Sequence, residues 1–381
     1  VFRVADSLAF ITVFLVSFGI CALIMLGLRQ NPAILGRRDD LRARQRAHSV
    51  PTPRVGGLGV LAGVAAALLL VPPVHAGFLS IFAATLLPVF AAGLAEDLGF
   101  RVRPLGRLVA AGASAALAVA LLGVWIPPAG LGPVDALLAL PPIAIPLTIL
   151  FSGGICHGFN LIDGVNGLAA GTATAIAAGL GLVAGTAGVP MVAALAFLMI
   201  PALLGFLVLN WPWGRIFLGD AGAYGIGHVL VWLAILLAWN APQATGLALA
   251  LMFFWPVADT FLAIWRRRRT GRRLDVPDRL HFHQLVYRAL VLTLPDTVSR
   301  RAINSLTGLV LMPLVVGPVV AGVMFWDRPI AALSAWMVFA ILFAASYLAG
   351  MALFRRGRPR LAGAARAGVL EVVPTDGQIA R

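Results

Sequence analysis

The chain contains no lysine: all 29 residues of its Lys-plus-Arg total are arginine. Charge of either sign is scarce, at 12% of 381 residues, whereas 60% are hydrophobic. A soluble domain carries roughly 25% charged residues, so a water-soluble globular class is excluded. Cysteine is nearly absent as well. Cys21 falls inside one apolar run and Cys156 at the end of another, which excludes a disulfide framework and a thiolate metal centre. No similarity recurs at a period of 20–50 residues, which excludes a solenoid or repeat array.

What is present is a succession of apolar runs, each close to the roughly 20 residues that cross a hydrocarbon core. Eleven spans are expected, at about 8–28, 56–74, 78–95, 105–125, 137–156, 167–186, 190–209, 222–239, 243–264, 304–325 and 330–353. The first is too long, and too closely followed by others, for a cleaved signal peptide. These runs predict an all-α polytopic membrane protein with one transmembrane domain, 1–354, and a short, basic, disordered tail, 355–381. Arginine crowds 29–54, 101–107, 266–301 and the tail, and is missing from the alternate loops near 72–77, 124–136, 187–190 and 240–243. Every arginine-rich loop then lies on one side, with only Arg3 and Arg328 on the other. The positive-inside rule makes that side cytoplasmic, with the N-terminus outside and the C-terminus inside. A net charge of +14 is explained by orientation and anionic membrane lipid, and no nucleic-acid partner is expected.

Most of the remaining polar residues fall on the same side. The stretch "HGFNLIDGVNGL" (157–168) sets Asn160, Asp163 and Asn166 three apart, a spacing that shares one face of a helical turn, among glycines that leave room for a ligand against backbone. "GLAEDLGFRVRP" ends the third span with Glu96 and Asp97. "LNWPWGRIFLGDAGAYGIG" supplies Asn210 and Asp220, and "RAHSVPTPRVGG" supplies His48 and Arg54. Asp259 closes the ninth span, and the loop after it carries His281 and His283. Each has a plainer reading alone. Asp163 and Asp220 would cap helices, Glu96 and Asp97 would pair with Arg101 and Arg103, and the Arg266–Arg269 run would only orient the chain. His228 and Asp259 would be span-interior polar groups satisfied by neighbouring helices. Together they specify chemistry. Carboxylate and amide oxygens are hard ligands suited to Mg²⁺ or Mn²⁺, and arginines with histidines suit a diphosphate. Metal, diphosphate and an acidic pair at membrane level are the parts of a phosphoryl transfer from a nucleotide to a lipid.

These five motifs, in this order, resemble those of the bacterial polyprenyl-phosphate N-acetylhexosamine-1-phosphate transferases, the MraY/WecA-like superfamily. The resemblance covers nearly the whole chain. It implies transfer of a sugar-1-phosphate from a UDP-sugar to undecaprenyl phosphate, within the bacterial inner membrane and facing the cytoplasm, with a homodimer left open. By the same resemblance Asn160 and Asp220 would hold Mg²⁺, and Asp163 the nucleotide diphosphate or sugar. Asn210 would face the uracil ring, and His281 and His283 the diphosphate. Glu96 and Asp97 would lie by the lipid phosphate, Arg103 would stand for the family's lysine, and His48, Arg54 and Asn166 would complete the substrate contacts. Three departures stand out: Glu96 for an Asp, Asn166 for an acid and Gln284 for a third histidine. Each keeps a hydrogen-bonding group. They point away from the peptidoglycan-precursor branch and toward one that starts a surface polysaccharide. The rival classes are a secondary transporter coupled through Asp259, Glu96 and Asp97, whose acids would sit at mid-bilayer within paired repeats, and a non-catalytic relative.

Overall fold

The computed structural model describes residues 4–30, 52–70, 75–269, 281–295 and 297–366. Among them are fourteen helices and no strand: α1 (Val4–Gln30), α2 (Gly57–Leu70), α3 (Ala76–Asp97), α4 (Pro104–Leu122), α5 (Pro133–Leu138), α6 (Pro141–Ile162), α7 (Leu168–Thr186), α8 (Pro190–Asn210), α9 (Gly219–Asn240), α10 (Gly246–Met252), α11 (Phe254–Arg269), α12 (Phe282–Thr293), α13 (Arg300–Met324) and α14 (Pro329–Arg366). Nine of these, α1, α3, α4, α6, α7, α8, α9, α13 and α14, are long and apolar enough to cross a membrane. The chain is therefore an all-α, multi-pass membrane protein, the form in which hydrocarbon-buried backbone satisfies its own hydrogen bonds.

The eleven expected spans resolve into nine complete helices, one broken pair and one short helix. α2 is apolar, but its 14 described residues are fewer than a span requires. The stretch expected as a single span at 243–264 is α10 and α11, bent by 76° between them. Pro256 gives the reason: it has no N–H to offer the Met252 carbonyl, so the ladder fails there and restarts at Phe254. At the other end, α14 runs through Arg366. The part of the expected disordered tail before residue 367 is thus helical, in keeping with its Leu, Ala and Arg content. Residues 367–381 lie outside the described residues, as does His48.

α9 is the axis of the bundle. Every residue from Gly219 to Ala238 is buried, with α3, α6, α2 and α7 packed around it. An all-round apolar surface is what a helix with neighbours on every side requires. Where α2 crosses it, a Cβ on Gly57 would collide with the Cα of Gly222, so these backbones meet only because both residues are glycine. Alternating helix directions bring the C-terminal ends of α3, α6 and α8 and the N-terminal ends of α4, α7, α9 and α13 to one rim. The opposite rim carries the Trp125–Trp239 pair, edge to face at 5.0 Å.

Candidate active site at one rim of the bundle

Asp220 sits in the first turn of α9, almost fully buried. Its carboxylate receives the Arg107 guanidinium from α4 on Oδ2 and the Asn160 Nδ2 from α6 on Oδ1, the latter at 2.9 Å. The first N–H groups of α9 have no partner within their own helix. Asp97, the last residue of α3, accepts two of them: Asp220 N–H at 2.8 Å and Ala221 N–H at 2.9 Å. The Gly219 N–H also lies close enough to Asp163 to act on its carboxyl. Two carboxylates from other elements therefore face the positive end of the α9 dipole and fix Asp220 in space. Asp163 does not cap the helix that follows it, as the sequence allowed: the N-cap of α7 is Gly167, and Asp163 faces the start of α9.

Gly219 makes this approach fit. Its φ is +76°, and a Cβ there would fall on the Arg54 carbonyl oxygen and 2.7 Å from Asp97 Oδ2. The segment before α2 is stitched to the segment before α9 by Phe217 N–H to Pro53 O and Gly56 N–H to Phe217 O, both 2.8 Å, and by Gly57 N–H to Leu218 O at 2.7 Å. That pairing puts Arg54 within electrostatic range of Asp97 and Asp163. Burial pushes the Asp163 carboxyl up to about 7, against Arg54 and the Gly219 N–H, with Asp97 adding to the rise. Glu96 lies beside Asp97, half-buried. Arg103 is the exposed N-cap residue of α4, one turn before Arg107.

The stretch 157–168 is not one helical face. α6 stops at Ile162, and Asp163 to Gly167 form turns before α7, with Gly167 at φ +80°. Asn160 alone of the three polar residues is on helix and turns to Asp220. Asn166 is buried against α13: its N–H donates to Asn304 Oδ1 at 2.8 Å and its Nδ2 to Ser305 Oγ at 3.2 Å. Asn210, also buried, accepts the Gly167 N–H at 2.7 Å and donates to the Ile216 carbonyl at 2.8 Å. Both amides thus tie together the loops that frame the cluster. Their side-chain bonds run to backbone and to α13, and not to Asp220.

The histidine motif reaches the same place from α12. Asp259, on α11, accepts the Phe282 N–H at 3.0 Å and pairs with His281 Nδ1 at 2.9 Å. His281 and His283 stack, with ring centroids 5.7 Å apart and an interplanar angle of 7°. His283 lies over Gly164: a Cβ on that glycine would fall on Nε2 and 2.9 Å from Cδ2 and Cε1. Burial, with His281 adding and Asp259 opposing, lowers His283 to about 4, so its ring is neutral at pH 7. Asp259 is therefore a helix cap and imidazole partner at the rim.

Two participants escape the sequence reading. Arg107 stands in an arginine-rich stretch that topology alone explains; only its place one turn into α4 brings it to Asp220. His157 opens the polar motif and hydrogen-bonds Tyr224, one turn along α9 from Asp220, through Nδ1 at 2.7 Å. No sequence spacing links 157 to 224.

Fold and cluster together define a polytopic helical membrane protein with an acidic, arginine- and histidine-lined site on one rim. Residues 78–238 match the family model described as Glycosyl transferase family 4. The chain is 30% identical, over 287 residues, to the Salmonella typhi undecaprenyl-phosphate alpha-N-acetylglucosaminyl 1-phosphate transferase, covering 72% of this chain and 76% of that protein. It is 33% identical over 272 residues to the Mycolicibacterium smegmatis decaprenyl-phosphate N-acetylglucosaminephosphotransferase, covering 62% of this chain, and spans 65% of that relative's length. A probable undecaprenyl-phosphate N-acetylglucosaminyl 1-phosphate transferase of Bacillus subtilis is 26% identical over 248 residues, 64% of this chain and 68% of that one. The chain belongs to glycosyl transferase family 4, among the relatives of the polyprenyl-phosphate N-acetylglucosamine-1-phosphate transferases.

Proposed function

We propose that the chain is an enzyme that transfers N-acetylhexosamine-1-phosphate from a UDP-sugar to undecaprenyl phosphate. The products are UMP and a lipid-linked diphosphate sugar that starts a cell-surface polysaccharide. The setting is the bacterial inner membrane, with the site facing the cytoplasm. The observation that carries this reading is the clamped Asp220: one buried carboxylate fixed by Asn160, Arg107 and the Asp97 cap, at the rim that gathers the polar motifs.

Mg²⁺ or Mn²⁺ is the cofactor of this reading, and the donors suit it. Asp220 offers carboxylate oxygens, and Asn160, whose Nδ2 donates to Asp220, carries a hard amide oxygen on the same group; a carboxylate retains lone pairs beyond the two hydrogen bonds it accepts here. Mg²⁺ takes one or two carboxylates and completes its shell with water and substrate phosphate. Among the described residues no group of three His, Cys, Asp or Glu is set to hold a metal. When bound, the ion supplies charge neutralisation of the diphosphate.

The protein's own groups do the rest. Arg54 and Arg107 draw the anionic oxygens toward the cluster, and His281 and His283 offer imidazole contacts to the diphosphate. An acceptor phosphate oxygen attacks the sugar-bearing phosphorus; the bond from that phosphorus to the bridging oxygen breaks, and UMP leaves with the oxygen. A phosphate monoester has its second pKa near 6, so the acceptor needs little deprotonation at neutral pH. Asp97 is engaged by two amides, so any remaining proton goes to Glu96 or Asp163. The Asp163 carboxyl, at about 7, is matched to that task.

The test offers purified protein a panel of UDP-sugars with undecaprenyl phosphate and Mg²⁺, and follows UMP and the lipid product. One UDP-sugar should release UMP, and EDTA should stop it. Folded protein that releases UMP from none of them would overturn the reading. Orientation is tested separately: cysteines placed in 240–243 should label from the periplasm and those in 272–276 only from the cytoplasm, and the reverse pattern would move the site outside.

A further inference from the structure

α6 and α9 are joined by two hydrogen bonds at successive turns. Asn160 meets Asp220 at 2.9 Å, and His157 meets Tyr224 at 2.7 Å. On α6 the two residues are three apart and on α9 four apart, the spacings that stack side chains on one helix face. One further step along, a Cβ on Gly227 would lie 2.9 Å from the Cα of Cys156, so the two backbones are already in contact and have no slack.

Tyr224 is fully buried. Phenylalanine would fill the same apolar space with Val89, Ala111 and Cys156, without a hydroxyl that costs free energy unless it is hydrogen-bonded. That hydroxyl has one hydrogen, and His157 Nδ1 is its partner. If Nδ1 carried the proton and donated, the tyrosine hydrogen would be buried without an acceptor. Tyr224 therefore donates, Nδ1 accepts, and the ring's proton sits on Nε2. The pair also lies within electrostatic range of Arg107, the cation that reaches Asp220.

We propose that His157 and Tyr224 are positioning residues. Their bond is a second rung that holds α6 and α9 at the one register in which Asn160 and Asp220 meet, and so sets how well that pair receives a divalent cation. The inference rests on the transferase reading for its kinetic consequence, though not for the bond itself.

Tyr224→Phe removes the hydroxyl and keeps the ring. It should lower kcat about ten-fold, leave KM for the UDP-sugar within two-fold, and raise the Mg²⁺ concentration for half-maximal activity about ten-fold. His157→Gln, whose amide oxygen can accept the tyrosine hydrogen, should keep kcat and the Mg²⁺ requirement close to those of the parent; His157→Phe should show both losses. Direct Mn²⁺ binding, followed by electron paramagnetic resonance without turnover, should weaken in Tyr224→Phe by the same factor. A melting temperature that falls in Tyr224→Phe with Mn²⁺ affinity and kcat unchanged would reduce the pair to packing and overturn the proposal. Equal defects in His157→Gln and His157→Phe would overturn it as well. The bond is read independently of any activity from ¹⁵N shifts of His157, which should report a protonated Nε2 in the unmodified protein and change in Tyr224→Phe. If the unmodified protein transfers no sugar but shows that signature, the transferase reading fails and the rung stands; an unchanged spectrum in Tyr224→Phe sinks the rung alone.

Discussion

Replacing Asp97 by Asn separates a helix cap from a reacting group. In the structure both carboxylate oxygens face α9, accepting from Asp220 at 2.8 Å and Ala221 at 2.9 Å. An amide keeps one acceptor and turns an NH₂ toward the other N–H, so one bond to a charged group is lost, at about 1.5–3 kcal/mol. The lost bond sets the scale, and Asp97→Asn should melt lower in detergent. It should also lose activity, because Asp220 is itself one of the capped residues, and a misplacement of about 1 Å can cost about 100-fold in rate. Asp97→Ala should exceed it on both counts. Thermal unfolding and kcat measured on the same preparations decide the matter. An Asp97→Asn protein as stable as the parent yet without transfer would refute the cap, and would place the carboxylate on substrate instead.

The other expectations concern separate parts of the site. Asp220→Ala should abolish Mg²⁺-dependent transfer and Asp220→Asn should impair it at least 100-fold, since few protein ligands share the ion; near-normal turnover in either would leave Asp220 a structural residue only. Gly164→Ala should drive a methyl into the His283 ring and cut kcat at least ten-fold while the protein stays folded, and an unaffected rate would mean the ring is not part of the site. Asp163 gives a pH signature. Between its ordinary 3.8 and about 7 the folded chain holds a proton that the unfolded chain releases, so this residue lowers stability as pH rises through that window. In EDTA, Asp163→Asn and parent should therefore melt together near pH 4, with the variant higher by pH 8; curves that stay parallel would show that the carboxyl is not raised.

Much of this molecule was legible in its sequence, because a membrane makes composition speak. Runs of about 20 apolar residues have one physical solution, helices that satisfy their own backbone, and the spans expected from them are found with two adjustments. The break at Phe253 depends on a proline within an otherwise apolar run, and α2 has only 14 described residues. The motifs carrying Glu96, Asp97, Asn160, Asp163, Asp220, His281 and His283 were visible as polar residues too costly to place in hydrocarbon without reason.

Tertiary structure decided what those residues do to one another. Sequence spacing put Asn160, Asp163 and Asn166 on one helical face; the turns after Ile162 send the first to Asp220, the second to the N-terminus of α9 and the third to α13. Asp97 and Asp220 are 123 positions apart, Asn160 and Asp220 sixty, and Tyr224 and His157 sixty-seven. No local periodicity encodes such pairings. They arise because α9 is enclosed by other helices, so the unpaired N–H groups at its start have to be met by carboxylates from elsewhere. A sequence states which groups are costly to bury, but only the packed bundle determines which partners offset that cost.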